Sequence, residues 1–467
     1  MGYTFMVPAK IISGTNVVEE LGQHIQGKGT KALIVTDQFM VKFGNAAKVE
    51  NALAKANIPY VTFAGANSEP TDKIVDAGLK VYREEGCDFL VALGGGSPMD
   101  TAKAIMFMST QPEGKKINEF MHVNIDMPVP YLVAIPTTAG TGSEVTKNTI
   151  IADTENNVKM LLGGPSIIPA LAVVDPTFTM TAPPSVTAAT GIDALCHSIE
   201  AYTSRKAQPL TDTFALSAIK KIHKNLPICY KDGKNVEARL QMSIAATEAG
   251  IAFNNASVTI VHGMSRPIGA LFHIAHGVSN AILLPACMKF AIEENTARFA
   301  TIARAMGVAD DATPDHDAAE AFVAEVTRFC KEVGIPSAES LLEQRGFKKE
   351  DFLAQLDKMA SDALESGSPQ NKMRIPTKEQ LIEIYKELFC RLDGNHGHLH
   401  IRDIERADRV GIVRFAYEVC QMYEWHDHPS YSIMRILVKS EEFLVDLDEL
   451  FLRRDAHRVL RSCHSYI

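Results

Sequence analysis

The stretch that most restricts the fold is DFLVALGGGSPMDTAKAIMFM, residues 88–108. An apolar run of strand length, three glycines and a second apolar run together describe a strand, a tight turn and a helix. A strand that is apolar throughout needs cover on both faces, which places it inside a parallel sheet flanked by helices. Neighbouring segments repeat the alternation. Residues 1–30 read as an opening strand or hairpin and a helix. KALIVTD (31–37) and PYVTFAG (59–65) are strand-like, KIVDAGLKVYREEG (73–86) has helical spacing, and YLVAIPTT (131–138) is a further buried strand. The pattern predicts a doubly wound, mostly parallel, Rossmann-like sheet with its ligands at the carboxyl ends of the strands.

Strand signals fade after about residue 188. From 189 to 389 segments such as DTFALSAIKKIHKNL and ARLQMSIAATEAGIAF have helical periodicity. The expected fold class is α/β followed by all-α. A cofactor-type domain covers 1–188, a helical domain covers 189–389, and TAPPSVTAATG forms the junction. The 467-residue length accommodates this. A net charge of −9 argues against nucleic acid as a partner. Eight cysteines without a CxxC pair read as reduced, buried thiols, Cys87, Cys196 and Cys287 among them. No signal-peptide pattern opens the chain, and no apolar run reaches the roughly 18 residues of a membrane span. The expectation is a soluble, cytoplasmic protein without a membrane partner.

Within the glycine turn, Gly94, Gly95 and Gly96 allow close approach of a pyrophosphate, Ser97 offers a hydroxyl, and Pro98 suits a first helical turn. The turn is not GxGxxG, and a plain strand–helix turn is the alternative. PTTAGTGSEVT (136–146) is a second loop after a strand, either for phosphate or nicotinamide or simply rich in threonine. Asp37 ends the first buried strand. It can accept both hydroxyls of an adenine ribose, favouring NAD over NADP, or cap a helix starting at Gln38.

GIDALCHSIEAY (191–202) reads as helix and puts Asp193 and His197 four residues apart, on one face. His262 in VTIVHGMSRPIG and His276 in LFHIAHGVSNAILLP lie beside small residues that allow close approach. One carboxylate and three imidazoles suit Fe(II) or Zn(II) and suit Mg(II) or Ca(II) poorly. Taken singly, each histidine reads as structural.

GGGSPMDTAKA, PTTAGTGSEVT, GIDALCHSIEAY, VHGMSRPIG and HGVSNAILLP, in this order over residues 1–389, resemble the iron-dependent (group III) alcohol dehydrogenases. The resemblance implies a dehydroquinate synthase-like fold, with the active site in a cleft between an α/β cofactor domain and a helical metal domain. It implies Asp193, His197, His262 and His276 as metal ligands, and Gly94 to Asp100 as the pyrophosphate turn. Thr137, Thr138 and Thr141 match the second cofactor loop. Lys159 matches a lysine near the nicotinamide ribose, Asp37 the position of NAD preference, and Phe253 the substrate pocket. The implied activity is NAD-linked, Fe2+-dependent interconversion of a small alcohol and its aldehyde, with Zn2+ as the alternative metal, by a homo-oligomer, a dimer. A divalent metal lowers the pKa of a bound alcohol, which agrees with this chemistry.

The chain departs from the family pattern in two places. Arg266 stands where the family often has histidine, so it offers a fixed charge for a substrate anion, or a structural salt bridge. Glu69 stands where the family often has asparagine. His273 reads as a relay group or as a histidine lining the pocket. Residues 390–467 lie beyond the resemblance. His396, His398 and His400 alternate as on a strand, LFCRLDGNHGHLHIRDIERA resembles a degraded EF-hand, and LVDLDELFLRRDAHRVL reads as an amphipathic helix. A helical appendage, a second metal site and calcium binding are the readings of this extension. The rival functions are a Zn-dependent polyol dehydrogenase on the same scaffold and a non-catalytic metal-binding scaffold working through the His-rich tail.

Overall fold

The short apolar runs become eight strands: β1 (Lys10–Ser13), β2 (Ala32–Val35), β3 (Tyr60–Phe63), β4 (Phe89–Gly94), β5 (Tyr131–Pro136), β6 (Asn148–Asp153), β7 (Val158–Gly163) and β8 (Leu171–Val174). The structure, a computed structural model, describes residues 2–389 except Asn157 and Glu294, so every expectation for the 390–467 extension lies outside the described residues. Six strands form one parallel sheet in the order β1-β8-β5-β4-β2-β3, and β6 and β7 form a separate antiparallel hairpin.

β2 and β4 are buried along their whole length, as continuous apolar runs between two helical layers should be. Alternate side chains divide between two cores. Leu33, Val35, Leu90 and Ala92 pack with the helices Asp72–Glu84 and Gly96–Ser109, whereas Ala32, Ile34, Val91 and Leu93 pack with the helix Asn45–Lys55. From β2 the chain moves outward to β3, then returns to lay β4 on the other side of β2. The strand order therefore reverses between β2 and β4, where open α/β sheets form their ligand crevice. Asp37 and the glycine turn stand at the carboxyl ends of these two strands.

The second half is helical, as its periodicity predicts. The helix Pro184–Thr203 starts on a proline, whose missing N–H would be unpaired in a first turn anyway. Its Ile192, Leu195, Cys196 and Ile199 are fully buried against the helices Pro209–Lys231, Val236–Ala256 and His276–Ala291. Each such Leu or Ile contributes roughly 1.5–3 kcal/mol. Gly191 admits this packing, because a Cβ there would stand 2.4 Å from Leu226 Cδ1. Cys87, Cys196, Cys229, Cys287 and Cys330 are free and buried, as expected. Among the described residues no helix is long and apolar enough to cross a membrane.

Strand structure extends further than the sequence signals. The β6–β7 hairpin and β8 fall within 148–174, a region the periodicity leaves unassigned. β8 is only four residues long. The hairpin buries one face of β6 and exposes Ile150, Val158 and Leu161, so its hydrophobic pattern is mixed.

Candidate metal and cofactor site

Asp193 and His197 project from the 184–203 helix, His262 from the helix Ile260–Phe272, and His276 opens the 276–291 helix. Between the last two helices the chain turns over His273, which is exposed and left-handed (φ 54°). Asp193 Oδ1 lies 3.5 Å from His262 Nε2 and 3.8 Å from His276 Nε2. One ligand atom from each of Asp193, His262 and His276 falls within 4.8 Å of the others. Asn280 Nδ2 sits among them, donating to Asp193 Oδ1 at 2.6 Å and standing 3.2 Å from each Nε2. His197 is beside this trio. Its ring stacks between His262, at a centroid distance of 4.5 Å, and Phe253, at 4.2 Å. His197 Nδ1 and Asn280 Oδ1 are buried without a hydrogen-bond partner.

Glu200, one turn beyond His197, orders the cluster from behind. It accepts from Thr259 Oγ1 at 2.9 Å, Val261 N at 2.6 Å and His262 Nδ1 at 2.5 Å. A histidine that gives Nδ1–H to a carboxylate presents Nε2 forward, the usual support for a metal-binding imidazole. Burial favours a neutral His262 ring, but Glu200 and Asp193 outweigh it and raise its pKa to about 9. Burial dominates at His197, holding it neutral at about 3 despite Asp193. His276, although its side chain is half-exposed, is pushed down by partial loss of hydration, against the pull of Asp193, and by the positive charges of His262, Arg266 and Lys159. Burial alone would raise Asp193, yet the histidines hold it well below the carboxylate range. Two buried carboxylates therefore share one proton-borne charge, on His262.

Arg266 lies one helical turn after His262. Its recorded hydrogen bond is a long one, from Nη1 to Ser366 O at 3.4 Å.

The cofactor half lies at the strand reversal. A cavity of about 200 Å³ is lined by Asp37, Phe39, Asn67, Ser68 and the turn Gly95–Pro98. The 96–109 helix begins here with Gly95 as its cap and no capping side chain, so its first N–H groups remain available. Gly94 (φ 154°) is required, because a Cβ would meet Pro98 Cγ at 2.4 Å. Asp37 does cap the helix Gln38–Lys42, accepting from Met40 N at 2.9 Å, while also lining the cavity. In the second loop Thr137 N donates to Gly94 O at 3.0 Å, Thr138 Oγ1 is buried without a partner, and Thr141 lies against Gly96. Asp100 points away from the cavity and accepts from Ser143 Oγ and Ile150 N, both at 3.0 Å. Lys159, on β7, is ion-paired with Glu69 at 2.5 Å.

Three residues with a part in this arrangement escape the motif reading. Glu200 carries a signal, being three residues after His197 and seven after Asp193 on the same helix. Asn280 carries a weaker one, four residues after His276. Lys103 is fully buried and bonds Ser143 Oγ, Thr146 O, Thr146 Oγ1 and Asn148 O at 2.9–3.0 Å. It ties the pyrophosphate helix to the second loop. Its signal is a lone cation in the apolar run TAKAIMFM.

The chain thus carries a crevice at the strand reversal and an Asp–His cluster among its helices. Comparison with known proteins identifies the class. Residues 8–176 match the family described as iron-containing alcohol dehydrogenase, and 187–389 match the C-terminal part of the Fe-containing alcohol dehydrogenase family. An NAD-dependent methanol dehydrogenase of Bacillus methanolicus is 37% identical over 384 residues, covering 82% of this chain and 98% of that protein. A lactaldehyde reductase of Escherichia coli is 37% identical over 374 residues, covering 80% and 96%. The crystal structure of a 1,3-propanediol oxidoreductase superposes with a TM-score of 0.79 at 36% identity, covering 83% of this chain and all of that one. The chain belongs to the iron-containing alcohol dehydrogenase family. It is an oxidoreductase of that class. Neither the polyol nor the scaffold alternative is favoured by these relatives.

Proposed function

We propose that the enzyme interconverts a small alcohol and its aldehyde, with Fe2+ held by Asp193, His197, His262 and His276 and NAD held across the two loops. The overall balance is RCHO + NADH + H+ ⇌ RCH2OH + NAD+. One observation carries the reading. Three potential ligand atoms from three helices converge on a single point, beside the amide of Asn280. The unpartnered His197 Nδ1 and the charge shortage around Asp193 and Glu200 fit a divalent ion there. When bound, Fe2+ supplies Lewis acidity to the substrate oxygen and NAD supplies the hydride acceptor.

The chain's own residues do the rest. Glu200 holds His262 Nε2 forward, and Phe253 holds the His197 ring by stacking. The N-terminus of the 96–109 helix, with Gly94 to Pro98, receives the pyrophosphate. Asp37 receives the adenine ribose hydroxyls and repels a 2′-phosphate, so NAD is preferred. Thr137, Thr138, Thr141 and Lys159 border the nicotinamide side, and Asp100 steadies them through Ser143. His273, exposed between the 260–272 and 276–291 helices, is assigned the passing of a proton to solvent. Residues 1–188 and 189–389 are the cofactor and metal halves, and the working unit is a dimer. The relatives above are named for methanol, lactaldehyde and 1,3-propanediol, all short molecules, and a short substrate is proposed here. The test is anaerobic NADH oxidation by metal-free protein reloaded with Fe(II) or Zn(II), against a panel of short aldehydes. Fe(II)-dependent turnover is expected. NADH binding without turnover on any aldehyde with either metal would overturn the reading.

A further inference from the structure

Arg266 is the residue the proposed chemistry leaves unexplained. A guanidinium carries five N–H donors and cannot be neutralised in a protein. This one is largely withdrawn from solvent, and loss of hydration lowers its pKa. A buried cation normally has a carboxylate partner. Among the described residues Arg266 has none within ion-pairing distance, and its hydrogen bond is the long one to Ser366 O. Glu200, whose charge acts on Arg266, already accepts from Thr259, Val261 and His262. Arg266 nonetheless stands close enough to His276 and Glu200 to act on both electrostatically. It follows His262 by one turn on the same helix face, and His276 is half-exposed at the open side of the cluster.

We propose that Arg266 is a specificity-determining residue that binds an oxyanion group on the substrate, making the preferred substrate a short aldehyde with a carboxylate, sulfonate or phosphonate at its far end. This rests on the reading of the site as an alcohol dehydrogenase. A planar guanidinium pairs with two oxygens of such a group at once. The redox step is unchanged: NADH supplies two electrons and a hydrogen to the carbonyl carbon, and a solvent proton completes the hydroxyl.

The experiment compares wild type, Arg266→Gln and Arg266→Lys, all metal-loaded. Substrates are paired by chain length: succinate semialdehyde with butanal, and sulfoacetaldehyde and phosphonoacetaldehyde with propanal. Wild type should prefer at least one charged aldehyde over its neutral counterpart by about tenfold or more in kcat/KM. In Arg266→Gln that ratio should fall by about tenfold or more, to near one, mainly through KM, with Arg266→Lys intermediate. Separately, calorimetric titration of metal-free protein with succinate and propanesulfonate reads anion binding without turnover. Binding that weakens in Arg266→Gln, with melting temperature preserved, supports the proposal. Turnover of neutral aldehydes with no charged preference, and anion binding equal in all three proteins, overturns it while leaving the dehydrogenase reading standing. Absence of all turnover removes the dehydrogenase reading, and the titration then decides anion binding alone.

Discussion

Metal loading at pH 7.5 should release close to one proton per site, and the structure says which one. Of the three imidazoles in the cluster, His197 is held neutral by burial at about 3, and His276 is also pushed down. Only His262 is raised, to about 9, because Glu200 and Asp193 outweigh its desolvation. Its Nδ1–H is retained by Glu200, so the proton displaced is the one on Nε2, which faces Asp193. The sign follows directly. Below pH 9 the metal competes with that proton, so apparent affinity rises about tenfold per pH unit, then flattens above pH 9. Release should be about one proton at pH 7.5, about one half at pH 9 and about one tenth at pH 10. Anaerobic calorimetry with Fe(II), repeated with Zn(II), in buffers of differing ionisation enthalpy measures this count. Glu200→Gln should lower it at pH 7.5, since burial then opposes only Asp193. Release of two or three protons would mean His197 and His276 are charged in the metal-free protein, and release of none would refute the raised His262. Either result sinks the electrostatic account of the cluster.

Lys103→Met should destabilise the protein by roughly 3–5 kcal/mol in denaturant unfolding, because it leaves Asp100 and the 143–148 acceptors buried without their cation; a loss below about 1 kcal/mol would show that water replaces it. Asp37→Ala should cost about 1 kcal/mol through the lost cap, whereas Asp37→Ser restores the cap without the charge. Both substitutions should raise NADPH use relative to NADH, and unchanged cofactor preference would remove Asp37 from the ribose site. A chain ended at residue 389 should keep NADH turnover, since the matched families end there; its loss, with the fold intact by circular dichroism, would assign 390–467 a part in catalysis.

What the sequence discloses about the site follows the range of each physical constraint. Asp193 and His197 are legible as a pair because helix periodicity alone puts them on one face. Glu200 obeys the same periodicity, so its place on that face was accessible by the same rule, though its contact with His262 was not. That His262 and His276 reach the pair is not local information, since it depends on how the 260–272 and 276–291 helices pack. The resemblance, not the spacing, supplied it. The sheet was legible where strands are buried on both faces, as in β2 and β4. It was not legible in the β6–β7 hairpin, where half-exposed faces dilute the pattern, and β8, as short and as buried as β2, was passed over with no physical reason. Lys103 and Arg266 are charges whose surroundings are entirely tertiary.

The second loop shows why motif chemistry and packing have to be argued together. PTTAGTGSEVT reads as a phosphate loop because it is rich in glycine, yet its glycines serve the junction with the helical half. A Cβ on Gly140 would stand 2.6 Å from Thr190 Cβ, and one on Gly142 (φ 61°) would stand 2.5 Å from Gly250 Cα. Glu144 continues the contact by accepting from Thr247 Oγ1 at 2.7 Å, and burial raises its pKa. Thr190 is three residues before Asp193, so the second loop presses on the helix that carries Asp193 and His197. Lys103 fixes the same loop from the cofactor side. The distance between the cofactor turn and the cluster is therefore set by backbone contacts of small residues and one buried cation. Side chains reaching into an open cleft could hold it less rigidly, and a transfer that loses rate with a 1 Å misplacement requires that rigidity.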